Sequence, residues 1–295
     1  MAIGRVVRAI AGFYYVEVSA DPPQILECAI RGKLKLSTTG ILVGDMVEFS
    51  ETEGQGVITG ILPRKTLLKR PYIANVNLIV LVFAHQNPDP TPILVTKFLI
   101  LAEASGIPYL LVFNKSDLAG KGKATKLANI YREYGYRVLC TSVLTKLGKR
   151  TLQKELDQKV TVFAGPSGVG KSALLNTVAP GFKLVTGELS QKISRGKHTT
   201  REVQLLKIKP NSYAADTPGF SQIDFDFLDP PELAGLFPDL REYRGKCKFN
   251  SCLHRGEPGC KVSSAVEQGT IKSERYQIYL ELLKEVQQNW DNRYR

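Results

Sequence analysis

The chain is short of acid. Its 295 residues hold 28 Asp and Glu against 40 Lys and Arg, a formal charge of +12. A neutral partner does not require that excess, whereas a polyphosphate partner rewards it; the plain alternative is solubility. The excess is uneven: residues 119–159 carry ten basic against three acidic side chains, and residues 241–261 six against two. Long apolar runs are also missing, and none approaches the roughly 20 residues a membrane-crossing helix needs. The opening Met1–Arg5 lacks a secretory pattern. These absences predict a soluble cytoplasmic protein with no membrane partner. Cysteine is scarce: five residues, an odd number without secretory context, argue against a disulfide framework. There are no internal repeats and no low-complexity tracts.

What is present falls into three stretches. Residues 1–68 hold short runs rich in Val, Ile and aromatics, at Arg5–Ile10, Phe13–Val18, Ile25–Leu36, Met46–Glu51 and Val57–Leu62, separated by glycines. Five such strands suit a small closed barrel, OB-like as a first expectation, with an SH3-like barrel or an open sheet as alternatives. Residues 69–222 alternate apolar strands (Val76–Ala84, Tyr109–Phe113, Arg137–Thr141, Val160–Ala164, Val203–Ile208, Tyr213–Ala215) with helical segments (Lys97–Ala104, Ala124–Tyr134, part of Lys146–Lys159, and one from Lys171). That alternation predicts a largely parallel α/β sandwich. Residues 223–295 open with Asp229-Pro230-Pro231, continue through a Cys/His cluster, and end in a predicted helix over Ser264–Asn289.

Gly165–Ser172 reads GPSGVGKS, a full match to G-x-x-x-x-G-K-[ST] between a strand and a helix. In such a loop Gly165, Pro166, Ser167, Gly168, Val169 and Gly170 wrap phosphates with backbone N–H groups. Lys171 reaches the β- and γ-phosphates, Ser172 ligates Mg²⁺, and Ala173 continues the contact into the helix. Asn114-Lys115-Ser116-Asp117 ends an earlier strand. A carboxylate at Asp117 accepts from both N1–H and the N2 amino group of guanine, which adenine cannot match. Asn114 would bond the other edge of the base and the Lys115 stem would cover the ring. Ser142 and Val143, ending the next strand, would offer N–H groups to guanine O6. Asp216-Thr217-Pro218-Gly219 supplies a carboxylate for Mg²⁺ and, at Gly219, an N–H for the γ-phosphate. In Ser190–Arg201, Thr200, or alternatively Thr199, would complete the Mg²⁺ shell. The site therefore reads as a GTP site, with the guanine end preceding the phosphate end along the chain. A catalytic Gln is lacking: Phe220 follows the D-x-x-G glycine, and His198 is the nearby side chain able to handle water, its alternative being a solvated loop histidine. The chemistry is accordingly assigned to His198, Lys171 and Thr200.

Cys247, Cys252, His254 and Cys260 form C-x₄-C-x-H-x₅-C. Three thiolates and an imidazole suit tetrahedral Zn²⁺ with no open position, a structural site. Cys28 and Cys140 lie in apolar strands and read as core thiols.

In this order NKSD, GPSGVGKS, GKHTTR, DTPGF and the Cys/Cys/His/Cys cluster resemble the RsgA (YjeQ) family of circularly permuted GTPases over nearly the whole chain. The resemblance implies an N-terminal OB-fold (1–68), a central circularly permuted P-loop GTPase domain (69–222) and a C-terminal, mainly helical zinc-binding domain (223–295). It implies slow GTP hydrolysis stimulated by the small ribosomal subunit, in whose biogenesis the family acts. The chain is expected to be a monomer with one structural Zn²⁺ and Mg²⁺-GTP that assists late maturation of that subunit. It also implies the hydrophobic residue at Phe220 and catalysis by His198. Arg5, Arg8, Arg31, Lys33 and Lys35 beside Tyr14 and Tyr15 would grip rRNA by charge and stacking, the alternative for the tyrosines being packing. Permutation also predicts that GTP state moves the zinc domain, which follows the D-T-P-G strand directly. The alternatives are a GTP-regulated RNA-binding module without significant turnover and a phosphate-loop kinase, the latter opposed by NKSD.

Overall fold

The structure, a computed structural model, describes residues 2–18, 24–30, 40–52, 54–69, 71–120, 122–179, 203–216 and 225–293. Strands β1 (Ala2–Ile10), β2 (Phe13–Val18), β3 (Gln24–Ile30), β4 (Met46–Thr52) and β5 (Gln55–Ile61) close into a barrel in the order β1-β2-β3-β5-β4. All pairs are antiparallel except β3 with β5. This is the OB order, which settles the barrel type. Val6, Val16, Cys28, Val47, Phe49 and Ile58 fill it. A Cβ on Gly56 would lie 2.2 Å from Cys28 Sγ, so the buried thiol needs glycine opposite it. A register shift between Val6 and Arg8 splits two adjacent apolar residues: Val6 stays in the barrel, and Val7 joins the core of the neighbouring sheet.

A short hairpin, β6 (Leu67–Lys69) with β7 (Tyr72–Ala74), links the barrel to that sheet. It is anchored to the barrel: Ala74 N–H donates to Val43 O (2.9 Å), and the Asn75 amide donates to Gly44 O (3.0 Å). The sheet runs β10-β9-β8-β11-β13-β12, with β8 (Leu78–Ala84), β9 (Tyr109–Asn114), β10 (Val138–Cys140), β11 (Val160–Ala164) and β13 (Ser212–Asp216) parallel. Strand β8 is buried at every residue, and its alternation feeds two cores. Ile79, Leu81 and Phe83 pack with α1 (Pro92–Ala104) and α2 (Lys123–Glu133). Leu78, Val80, Val82 and Ala84 pack with α3 (Lys149–Glu155) and α4 (Lys171–Val178). Helix α1 starts at Pro92, five residues before the expected Lys97, because proline suits a first helical turn.

The stretch expected as one strand, Val203–Ile208, is split. Gln204 bridges Arg8 of β1, and Leu205 N–H donates to Val7 O (2.8 Å); only β12 (Leu206–Lys209) joins the sheet, antiparallel to β13. Two surfaces compete for one apolar run, and each takes half.

The C-terminal unit contains a 3-10 helix (Pro230–Leu236) and helices α5 (Pro238–Arg241), α6 (Lys261–Glu267) and α7 (Ser273–Arg293). The helix expected over Ser264–Asn289 is therefore two helices. Gly269 sits at φ 73° and its N–H bonds Val266 O (3.0 Å), while Thr270 N–H bonds Ala265 O (2.9 Å), a Schellman stop. Ile271, after the stop, is buried in the unit's own core with Phe237, Tyr279, Leu282 and Val286. Ile100 of α1 belongs to that core too. Among the described residues no helix is long and apolar enough to cross a membrane.

Candidate nucleotide site and metal centre

Strands β8 and β11 are adjacent, and the chain leaves them in opposite directions, β8 toward β9 and β11 toward β13. Ligands of open α/β sheets bind at such a switch point. Gly165–Ser172 sits there, between β11 and α4. A Cβ on Gly165 (φ 143°) would lie 2.0 Å from Val82 O, so the loop can hug β8 only as glycine. Gly168 and Gly170 take φ of 78° and 90°. Lys171 Nζ donates to Gly165 O and Pro166 O, both at 2.8 Å, curling over its own loop. Ser172 and Ala173 are half-buried on the first turn of α4, Ser167 is exposed, and Val169 is anchored in the core.

The guanine-loop residues stand beside this loop although they precede it by 48 to 51 positions. Asn114 Nδ2 donates to Val169 O (3.0 Å), and Lys115 Nζ donates to Gly168 O (2.8 Å) and to Asn87 O. Thr141 Oγ1 donates to Asn114 Oδ1 (3.1 Å), which fixes the amide's orientation. Asn114 is 1% exposed and ties the two loops together, so the expected hydrogen bond to the far edge of the base is not its only task. Gly170 makes room for it: a Cβ there would lie 2.7 Å from Asn114 Nδ2. Asp117 is exposed and accepts from Ser142 Oγ. Ser142 N–H already donates to Leu147 O (3.2 Å), while Val143 is half-buried beside it. Thr141 ends the expected strand before Ser142 and Val143, but its side-chain bond to Asn114 and the Asn87 carbonyl were not anticipated from sequence.

Asp216 ends β13 opposite Phe163, two residues before Gly165, so its backbone lies beside the phosphate loop. His198, Thr199, Thr200, Gly219 and Phe220 lie outside the described residues, as do Arg31, Lys33 and Lys35.

Two expectations are corrected. Arg5 is not a free RNA-gripping cation. Its guanidinium stacks 5.1 Å from the Tyr213 ring centroid and donates to Gly44 O (3.2 Å), between barrel and sheet. Tyr14 packs on the barrel core and Tyr15 on the sheet core, with Arg8 5.7 Å from the Tyr15 ring. Cys28 is a core thiol as expected, but Cys140 is only half-buried, because β10 is an edge strand.

The second site is compact. One donor atom each from Cys247, Cys252, His254 and Cys260 lie within 4.8 Å of one another. His254 Nδ1 lies 3.5, 3.6 and 3.5 Å from the three sulfurs. Metal–sulfur and metal–nitrogen bonds of about 2.3 and 2.05 Å place S and N about 3.5 Å apart along a tetrahedral edge, so the geometry fits zinc. Lys261 N–H donates to Cys247 Sγ (3.3 Å) and Ser263 N–H to Cys260 Sγ (3.5 Å), favouring thiolates. Glu257 escaped the sequence reading. It accepts from the N–H groups of Leu253 (2.9 Å) and Arg255 (2.7 Å), shaping the loop between ligands. Its signal was only a carboxylate in the turn Arg255–Gly259.

A closed barrel, a sheet whose guanine-loop strand precedes its phosphate-loop strand, and a Cys₃His cluster define a circularly permuted GTP-binding protein. Comparisons narrow the class. The RsgA GTPase model matches residues 61–226, and the RsgA N-terminal domain model matches residues 3–58. The chain is 44% identical to the small ribosomal subunit biogenesis GTPase RsgA of Alkaliphilus metalliredigens, covering 98% of this chain and 99% of that one. It is also 44% identical to the protein of that name from Moorella thermoacetica, covering 96% and 97%. Among solved structures, YjeQ from Thermotoga maritima superposes with a TM-score of 0.83 at 35% identity, over 97% of this chain and 98% of that one. YloQ, a circularly permuted GTPase, gives 0.80 at 34%, over 98% and 96%. The chain belongs to the RsgA GTPase family, and it is a GTPase.

Proposed function

We propose that this GTPase binds the small ribosomal subunit in its GTP state, assists late maturation, and leaves after subunit-stimulated hydrolysis. The observation that carries the reading is the joining of guanine and phosphate loops by Asn114 and Lys115, in a chain alignable end to end with relatives named for small-subunit biogenesis. Asp117 reads guanine, with Val143 near O6, and Gly165–Ala173 holds the phosphates. Lys171 exchanges its carbonyl partners for the β- and γ-phosphates. Ser172, Asp216 and Thr200, with Thr199 as the alternative, hold Mg²⁺, which when bound neutralises charge developing on the phosphates. Gly219 donates to the γ-phosphate, and His198 orients the attacking water because Phe220 cannot. Zn²⁺ occupies Cys247, Cys252, His254 and Cys260 as a structural ion. The chain works as a cytoplasmic monomer with domains at 1–68, 69–222 and 223–295, and its +12 charge favours rRNA. Co-sedimentation with purified small and large subunits tests this. Retention on small subunits with a non-hydrolysable GTP analogue, and release with GDP, is expected; equal retention with both nucleotides rejects it.

A further inference from the structure

The two outer units are attached to the GTPase sheet in different ways. The C-terminal unit is fastened to α1, on the guanine side. Ile100 lies in its core, Arg275 reaches Thr96 Oγ1 (3.2 Å), and Lys97 pairs with Glu285 (2.7 Å). The barrel instead holds the strands that flank the phosphate side. Glu17 of β2, 9% exposed, accepts from Tyr213 OH (3.0 Å) on β13 and pairs with Lys207 on β12. Two backbone links, Leu205 with Val7 and Gln204 with Arg8, extend the seam. Tyr213 lies three positions before Asp216 on one strand.

We infer that Glu17 is a positioning residue through which the barrel, rather than the C-terminal unit, is coupled to the γ-phosphate end of the nucleotide site. Asp216 ends a strand, β13, that this carboxylate pins, and its backbone lies beside the phosphate loop. A ligand that shifts the Asp216 backbone must work against, or with, the barrel seam. Coupling of this kind is reciprocal, so breaking the seam changes discrimination between triphosphate and diphosphate. The inference differs from the expectation that GTP state moves the zinc domain, and places the barrel at the γ-phosphate end. It rests on the nucleotide-binding part of the proposed function and not on the ribosome.

The test is equilibrium binding of a non-hydrolysable GTP analogue and of GDP to the full-length protein. Glu17→Gln and Lys207→Met each break the pair from one side, and thermal unfolding verifies folding. The expected result is a change of about fivefold or more in the analogue-to-GDP affinity ratio, at the lower end of measured allosteric couplings. The double variant should fall short of the sum of the single ones, because both remove the Glu17–Lys207 pair. Lys97→Ala, which cuts a C-terminal fastening, should leave the ratio unchanged. A ratio unmoved in both folded seam variants overturns the inference. So does an equal weakening of both nucleotides, the mark of a merely structural role, or an equal shift with Lys97→Ala. Loss of small-subunit binding by the unaltered protein would defeat the ribosomal reading and leave this result standing.

Discussion

Arg275 offers a quantitative test of how the C-terminal unit is held. Its side chain is 0% exposed, and that of its ionic partner Asp239 is 16% exposed. The Nε–Oδ2 distance is 3.1 Å, and the other guanidinium nitrogens donate to Thr96 Oγ1 and to Tyr136 OH (2.6 Å). Its flat face lies 4.3 Å from the Phe237 ring centroid and 4.8 Å from that of Tyr134. Removing one partner of a buried pair costs about 3–5 kcal/mol, and each cation–π contact adds about 0.5–2 kcal/mol. Water reaching Asp239 offsets part of this, so Arg275→Met should lose about 3 kcal/mol. Trp290, the single tryptophan, lies on α7 and reports unfolding of this unit by fluorescence. With a urea slope near 2 kcal/mol/M the midpoint should fall by about 1.5 M. Adding Asp239→Asn should recover part of the loss, because the stranded charge is gone. A midpoint shift below about 0.3 M, or additive losses in the double variant, would refute the keystone role.

Other expectations follow from single contacts. Asn114→Ala breaks the tie between loops and leaves Thr141 Oγ1 and Val169 O without this partner; both GDP and GTP analogue should bind about tenfold or more weakly by calorimetry. Gly170→Ala combines a φ of 90° with a Cβ 2.7 Å from Asn114 Nδ2, and should abolish measurable nucleotide binding while the barrel still folds by circular dichroism. Glu257→Gln should lower zinc affinity by about 10–100-fold in chelator competition, since it frees the loop between Cys252 and Cys260.

Features with local physics were legible in the sequence. The phosphate loop needs its glycines, the four candidate metal ligands stand out by their chemistry, and β8 reads as a strand buried on both faces. The three-unit order followed from those signals and from the family resemblance. What was not legible depends on surfaces that meet only in three dimensions. Nothing near Asn114 in the sequence says that its amide turns toward Val169, 55 positions away. The split of Val203–Ile208 arises because the barrel offers β1 as a second edge, and Arg5 is drawn off the outer surface by Tyr213 of the sheet. The break at Gly269 was local, yet the apolar stripe continues across it because Ile271 enters the same core as α7. Glu257 looks like any exposed acid until its carboxylate is seen holding two backbone N–H groups.

The measurement that bears most directly on the central claim is steady-state hydrolysis by the full chain, with and without purified small subunits. GTP and ATP are compared, and Asp117→Asn serves as control. The expected result is slow turnover of GTP alone, a marked rise with small subunits, no comparable rise with large subunits or with ATP, and loss of the GTP signal in Asp117→Asn. GTP turnover that small subunits leave unchanged, or that ATP matches, would contradict the account.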